Sequence, residues 1–149
     1  MLRTIIAGAL FGFITLLASA QVFGQADVIE KRQQLMKSQS AAAKAIKGAV
    51  ETKDYATVEA KAKDIMGTAD RIVAAFPKGS SAGKTKATPA IWEKSDDFAK
   101  QAKSLSKSAG ELAAAAKAGN DAEIGVKVKA IGETCNSCHK EFRAAKYAE

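Results

Sequence analysis

Cysteine and proline occur only twice each in these 149 residues, histidine and tryptophan once, and aromatic residues make up just 6%. Each scarcity excludes something. Cys135 and Cys138 would close only a very small loop, and a chain of this length does not depend on one such closure, so a disulfide-stapled scaffold is excluded and the pair has a chemical purpose. Nowhere do apolar and polar residues alternate with period two, and β-branched residues are sparse against alanine and lysine, so strands are not expected. The longest apolar run, Ile5 to Leu17, falls short of the roughly 18 residues a membrane span needs, and no basic stop-transfer flank follows it.

That run reads instead as the core of a secretory signal peptide, with Arg3 as its positive n-region and Ala18-Ser19-Ala20 as small residues for cleavage. The expected leader is 1–20, with cleavage as late as residue 26, because Gly24-Gln25-Ala26 is also small. Export implies the periplasm. Removing 1–20 leaves 129 of the 149 residues, enough for a single domain of ordinary size, whose folded part is taken as 27–149. The formal net charge of +7 drops by one with Arg3, a balance that suits acidic partners or anionic surfaces. Export argues against nucleic acid, and the lysines are scattered singly, as on a solvated face.

Pro77 and Pro89 flank a polar, glycine-containing connection that halves the chain. Each half divides again, at Thr52-Lys53-Asp54 and at Gly119-Asn120-Asp121. The four segments carry helical periods. In the first, Ile29, Met36, Ala43 and Val50 recur every seven residues, and Asp27 with Glu30 resembles a capping box. In the second, Val58, Ala62, Ile65, Ala69, Ile72 and Phe76 step by four and three. The third repeats this in Phe98, Ala102, Leu105, Ala109, Leu112 and Ala116, opening on Thr88 as N-cap, Pro89 at the first helical position and Trp92 as anchor. In the fourth, Ile124, Val128, Ile131, Cys135, Cys138 and Phe142 put both sulfurs where core residues belong, after an Asn120/Glu123 cap. Short connections within each half and a longer one between them predict an all-α, antiparallel up-down-up-down four-helix bundle. Its many core alanines leave volume for a large apolar cofactor.

Cys135-Asn136-Ser137-Cys138-His139 is the attachment pattern for haem c. Cysteines three apart on a helix present their sulfurs one turn apart on one face, suited to two thioether bonds, and His139 follows as an iron ligand. Other readings remain beside it. A structural zinc site needs about four ligands, and two cysteines with one histidine fall short unless an acid completes the set. A thiol-disulfide oxidoreductase places its pair at a helix start after a strand, whereas this pair lies deep in the last helix. Two core-facing cysteines beside a surface histidine are the plainest reading. Only ten residues follow His139, so any sixth iron ligand must come from upstream; the single histidine excludes bis-histidine ligation within one chain, and Met36 and Met66 are the thioethers, with core packing the ordinary use of both.

The chain resembles the class II c-type cytochromes, the cytochrome c′ family with its low-spin relatives, over the whole mature length. The resemblance rests on Val28-Ile29-Glu30-Lys31-Arg32-Gln33, Ala75-Phe76-Pro77, Ala90-Ile91-Trp92 and Gly132-Glu133-Thr134-Cys135-Asn136-Ser137-Cys138-His139-Lys140-Glu141-Phe142-Arg143. It implies a left-handed four-helix bundle, often a homodimer, holding one covalent haem c. Cys135, Cys138 and His139 match the attachment and proximal positions, Arg143 matches a basic residue near the proximal histidine, and Arg32 falls in the haem surroundings. Met36, four residues after Arg32, matches the place where low-spin members carry a methionine ligand, so the chain resembles the six-coordinate, low-spin branch.

Two functions follow. With Met36 on the iron, the expected role is electron transfer, with Lys127, Lys129 and Lys140 steering transient, acidic redox partners. If Met36 only packs, the iron is five-coordinate and the family expectation is nitric oxide or carbon monoxide binding. No general base or substrate pocket can be named, so the chain is not read as an enzyme.

Overall fold

In the computed structural model of the chain, the backbone is described over residues 15–146 and the side chains over residues 24–146. The elements are α1 (Thr15–Glu51), α2 (Tyr55–Ala69), a one-turn α3 (Ala90–Glu93), α4 (Ser95–Lys117) and α5 (Asp121–Phe142), with a 3-10 turn at Val73–Ala75. The expected leader 1–20 falls outside the side chains described. α1 runs unbroken past Ala20, Gly24 and Ala26, so no helix boundary selects a cleavage point. Among the described residues no helix is long and apolar enough to cross a membrane.

The stripes expected from the sequence are the buried faces. Val58, Ala62, Ile65 and Ala69 of α2 meet Phe98, Ala102, Leu105, Ala109, Leu112 and Ala116 of α4 in one core, joined by Ala42, Ile46 and Ala49 of α1 and Ile124, Ile131 and Phe142 of α5. Each fully buried isoleucine, leucine or phenylalanine contributes about 1.5–3 kcal/mol. α1 packs on α2, α2 on α4 and α4 on α5, whereas α1 and α5, the ends of this series, are not packed along one another. The result is a four-helix bundle with one open flank.

Both hairpin turns lie at the same end. After α1, Lys53 takes a left-handed φ of 57°, and Asp54 accepts from the Thr57 amide at 3.0 Å to start α2. After α4, Gly119 turns at φ 66°, and Asn120 accepts from the Glu123 amide at 3.2 Å, the cap the sequence predicts. Asp121 then joins the two turns, paired with Lys53 Nζ at 2.7 Å and accepting from the Tyr55 hydroxyl at 2.6 Å.

Three local expectations are corrected. Asp27 caps nothing, because α1 continues through it and a cap needs non-helical backbone. The second helix ends at Ala69, and Ile72 and Phe76 reach the core from the 3-10 segment instead. Thr88 is not the third helix's cap: its hydroxyl donates to the Glu141 carbonyl at 3.2 Å. Pro89 stands before α3 as its N-cap, and that helix breaks at Lys94, whose φ and ψ of −116° and 47° separate α3 from α4.

At the other end, the long connection bridges the helices flanking the opening. On the α1 side, Arg32 is 2% exposed; it donates to the Ser80 carbonyl at 2.9 Å, the Ser80 hydroxyl at 3.2 Å and Thr85 Oγ1 at 2.8 Å. On the α5 side, the Thr88 amide donates to the Phe142 carbonyl at 3.2 Å and the Ala144 amide to the Lys86 carbonyl at 2.8 Å. Beneath the connection, Phe76, Phe98 and Phe142 stack edge to face, with centroids 5.1 Å apart at each step. Trp92 Nε1 donates to the Phe76 and Pro77 carbonyls at 3.1 and 2.9 Å, the anchoring expected of it.

Candidate functional site

The last turns of α5 carry the motif. Cys135 and Cys138 sit on successive turns of its inward side, half-buried against the common core, and both are free thiols. Burial pushes the Cys135 thiol up. The Cys138 thiol is pushed up to about 11, by burial first and then by Cys135 and Glu141. Both are therefore protonated at neutral pH, opposite to the lowered thiolate pKa that disulfide exchange uses. The oxidoreductase reading lacks its chemistry as well as its strand. For zinc, no group of three or more histidine, cysteine, aspartate or glutamate side chains is placed to hold a metal among the described residues.

His139 follows them on α5 and is exposed to solvent. Desolvation, then the charge of Arg143, pulls its pKa below the usual histidine value of 6.5. The imidazole is thus held neutral at pH 7, the form that binds iron. The Arg143 amide donates to the His139 carbonyl at 3.2 Å, closing the helix just beyond the motif. Arg143 acts on the histidine through its field. Arg32 does not join this group, because its guanidinium is committed to Ser80, Thr85 and the Phe76 ring.

Met36 lies on the inner stripe of α1, half-buried beside Leu35 against the same core that holds the two cysteines. Because α1 and α5 are antiparallel and pinned by Lys53 and Asp121, levels can be compared by counting residues from that pair. Met36 and Cys138 are equally distant from it along their helices, and so are Gln39 and Cys135. Met66 lies on α2, partly buried near Gly110 of α4, and packs as core.

Gln39 was missed by the sequence reading. It occupies the step between Met36 and Ala43 in the stripe Ile29, Arg32, Met36, Gln39, Ala43, Ile46, Val50, where an apolar residue belongs. Its amide nitrogen is shut away from solvent and has no hydrogen-bond partner. A polar residue on a core stripe was the available signal.

These residues fit a covalent haem: two protonated thiols one turn apart, a neutral imidazole next to them, and an unpacked flank whose α1 side is largely alanine, leucine and methionine. Two surface hollows of about 400 and 320 Å³ lie elsewhere, one over Ala69, Ala102 and Lys103 and the other beside Ile29 and Gly83.

Residues 27–143 match the family model described as Cytochrome C′. Cytochrome c′ of Rhodospirillum rubrum is 37% identical over 97% of this chain and 99% of its own length. A solved cytochrome c′ with a ligand-controlled dimer dissociation is 27% identical, covering 80% of this chain and 96% of that one, with a TM-score of 0.74. The nitric oxide complex of a variant cytochrome c prime from Alcaligenes xylosoxidans, 23% identical, covers 82% and 97% of the two chains at a TM-score of 0.73 and shares the fold. Family members carry one covalently attached haem c with its iron. The family model and the Rhodospirillum rubrum relative, both of cytochrome c′, give no support to the low-spin, methionine-ligated branch expected from Met36. Over its whole folded length, the chain belongs to the cytochrome c′ family.

Proposed function

We propose that this chain is a monohaem cytochrome c′ binding a small neutral gas, nitric oxide or carbon monoxide, at an iron held five-coordinate by His139. Cys135 and Cys138 would hold the haem by thioether bonds, and the haem would supply an iron able to take up the gas. The chain does the rest. His139 offers a neutral ring nitrogen, and Leu35 and Met36 make the opposite side apolar, which disfavours ions and water far more than an uncharged diatomic.

The observation that carries this reading is the open flank: α1 and α5 leave each other unpacked while Met36 and the two cysteines lie half-buried on one core, Met36 level with Cys138. A periplasmic location behind the leader 1–20 goes with it. So does a homodimer, on the analogy of the relative whose dimer responds to ligand. The position of Met36 also favours a second reading, in which its thioether is the sixth ligand and the protein passes electrons to transient, acidic partners.

Optical spectra of the oxidised and reduced protein, with and without carbon monoxide and with Met36→Ala, separate the two. The gas-binding reading expects a high-spin parent that takes up carbon monoxide, with little change of spin state in the variant. Low-spin bands, a far-red sulfur-to-iron band abolished by Met36→Ala, and refusal of carbon monoxide would overturn it in favour of electron transfer.

A further inference from the structure

Most polar groups on the inner side of this bundle are satisfied. Thr68 donates to the Asp64 and Ile65 carbonyls of its own helix at 2.9 Å each, and Arg32 is held by Ser80 and Thr85. Among the described residues Gln39 is the exception. Its Nε2 is buried without an acceptor, a state that costs folding free energy. An unpaired buried group in a folded protein calls for a specific explanation, and a missing partner is one of the few available.

Three features locate that partner. Gln39 follows Met36 on the same stripe of α1, one turn nearer the hairpin turns. Its helix borders the flank where α1 and α5 are unpacked. Its level matches that of Cys135, within the span of the motif. A carboxamide here stands on the α1 side of the flank, opposite the helix that carries His139, among side chains that otherwise offer no donor: Leu35, Met36, Ala43 and Ile46.

We infer that Gln39 is the hydrogen-bond donor of the gas site, its Nε2–H directed to the outer atom of a diatomic ligand on the iron. This rests on the five-coordinate reading above. A neutral amide suits the task. It polarises a bound diatomic without bringing a charge into an apolar pocket, and its proton stays in place across the working pH range. A donor with no protein acceptor is free to serve a bound gas, so the hydrogen bond adds to gas affinity.

The test is vibrational. The C–O stretch of the ferrous carbon monoxide complex is measured by infrared spectroscopy in H₂O and in D₂O for the parent, Gln39→Leu and Gln39→Met. A donor expects a small frequency shift on deuteration in the parent, absent in both variants, with the stretch raised in the variants and the carbon monoxide off-rate increased about fivefold, the equivalent of one hydrogen bond. Two substitutions guard against one failing to fold, and the haem spectrum of each reports whether it has. A parent that binds carbon monoxide with the same stretch and off-rate as the variants overturns the donor role while leaving the gas-binding reading intact. A six-coordinate parent that refuses carbon monoxide overturns both.

Discussion

The guanidinium carbon of Arg32 lies 5.0 Å from the ring centroid of Phe76, which makes one buried arginine the meeting point of α1, the aromatic stack and the long connection. Among the described residues its charge has no carboxylate partner. Desolvation lowers its pKa, but an arginine stays protonated at any ordinary pH. The carbonyl and hydroxyls of Ser80 and Thr85, with the face of the ring, offset the burial.

Replacing Arg32 with leucine leaves those acceptors without their donor, so we expect a loss of about 2–4 kcal/mol in urea unfolding of the haem-loaded protein. Arg32→Lys should recover only part of it, because an ammonium cannot reach three acceptors and lie flat on the ring. Equal stabilities for the parent and the leucine variant would show that the connection holds itself.

Gly83 is required twice at one position. Its φ is +103°, and a Cβ there would lie 2.9 Å from Ile29 Cδ1. Gly83→Ala therefore combines backbone strain with a clash, and we expect it to lower stability by about 1–3 kcal/mol. Gly79→Ala, at φ +81° with nothing within 4 Å, suffers the strain alone. Thermal unfolding of the pair measures the clash by difference, and equal midpoints would remove it.

Acid should loosen the hairpin end. Asp121 is held below the usual aspartate value of 3.8 by its hydrogen bonds from Lys53 first and Tyr55 second. A carboxylate with a depressed folded pKa stabilises fully above its unfolded value and loses that contribution as pH falls through the folded one. Asp121→Asn is thus expected to weaken the protein at pH 7 and to flatten its acid limb below about pH 4, read as the urea midpoint against pH. An unchanged acid limb would show that this exposed cluster is screened into irrelevance.

Removing the sulfurs one at a time tests the attachment. Cys135→Ser and Cys138→Ser are each expected to retain haem on a denaturing gel through the remaining thioether, and the double variant to lose it. Intact mass of the denatured chains checks the count. Covalent haem on the double variant would displace the motif from its assigned role.

Much of this was legible from residue spacing. The three-four rhythm of Val58 to Ala69 and of Phe98 to Ala116 became the buried seam of α2 and α4, because one apolar stripe leaves a helix few ways to pack. The motif declared itself through Cys135, Cys138 and His139. Ends were read less well. Asp27 and Thr88 have the chemistry of caps, yet α1 continues past the first and the second bonds to the end of α5, a partner 53 residues away. Local sequence carries no record of such a tie. Gln39 was hidden differently: reading the stripe in steps of seven passes from Met36 to Ala43 and skips the polar residue between.

The open flank is bounded at both ends, by Asp121 with Lys53 and Tyr55 at one and by the Arg32-anchored connection at the other. In mechanical terms it is a slot closed at both ends, roughly 30 Å long from the rise of α1 between those ties. A flat group can lie edge-on in it while both helices keep their footing. The ends set where things go, and the middle sets how much room they have.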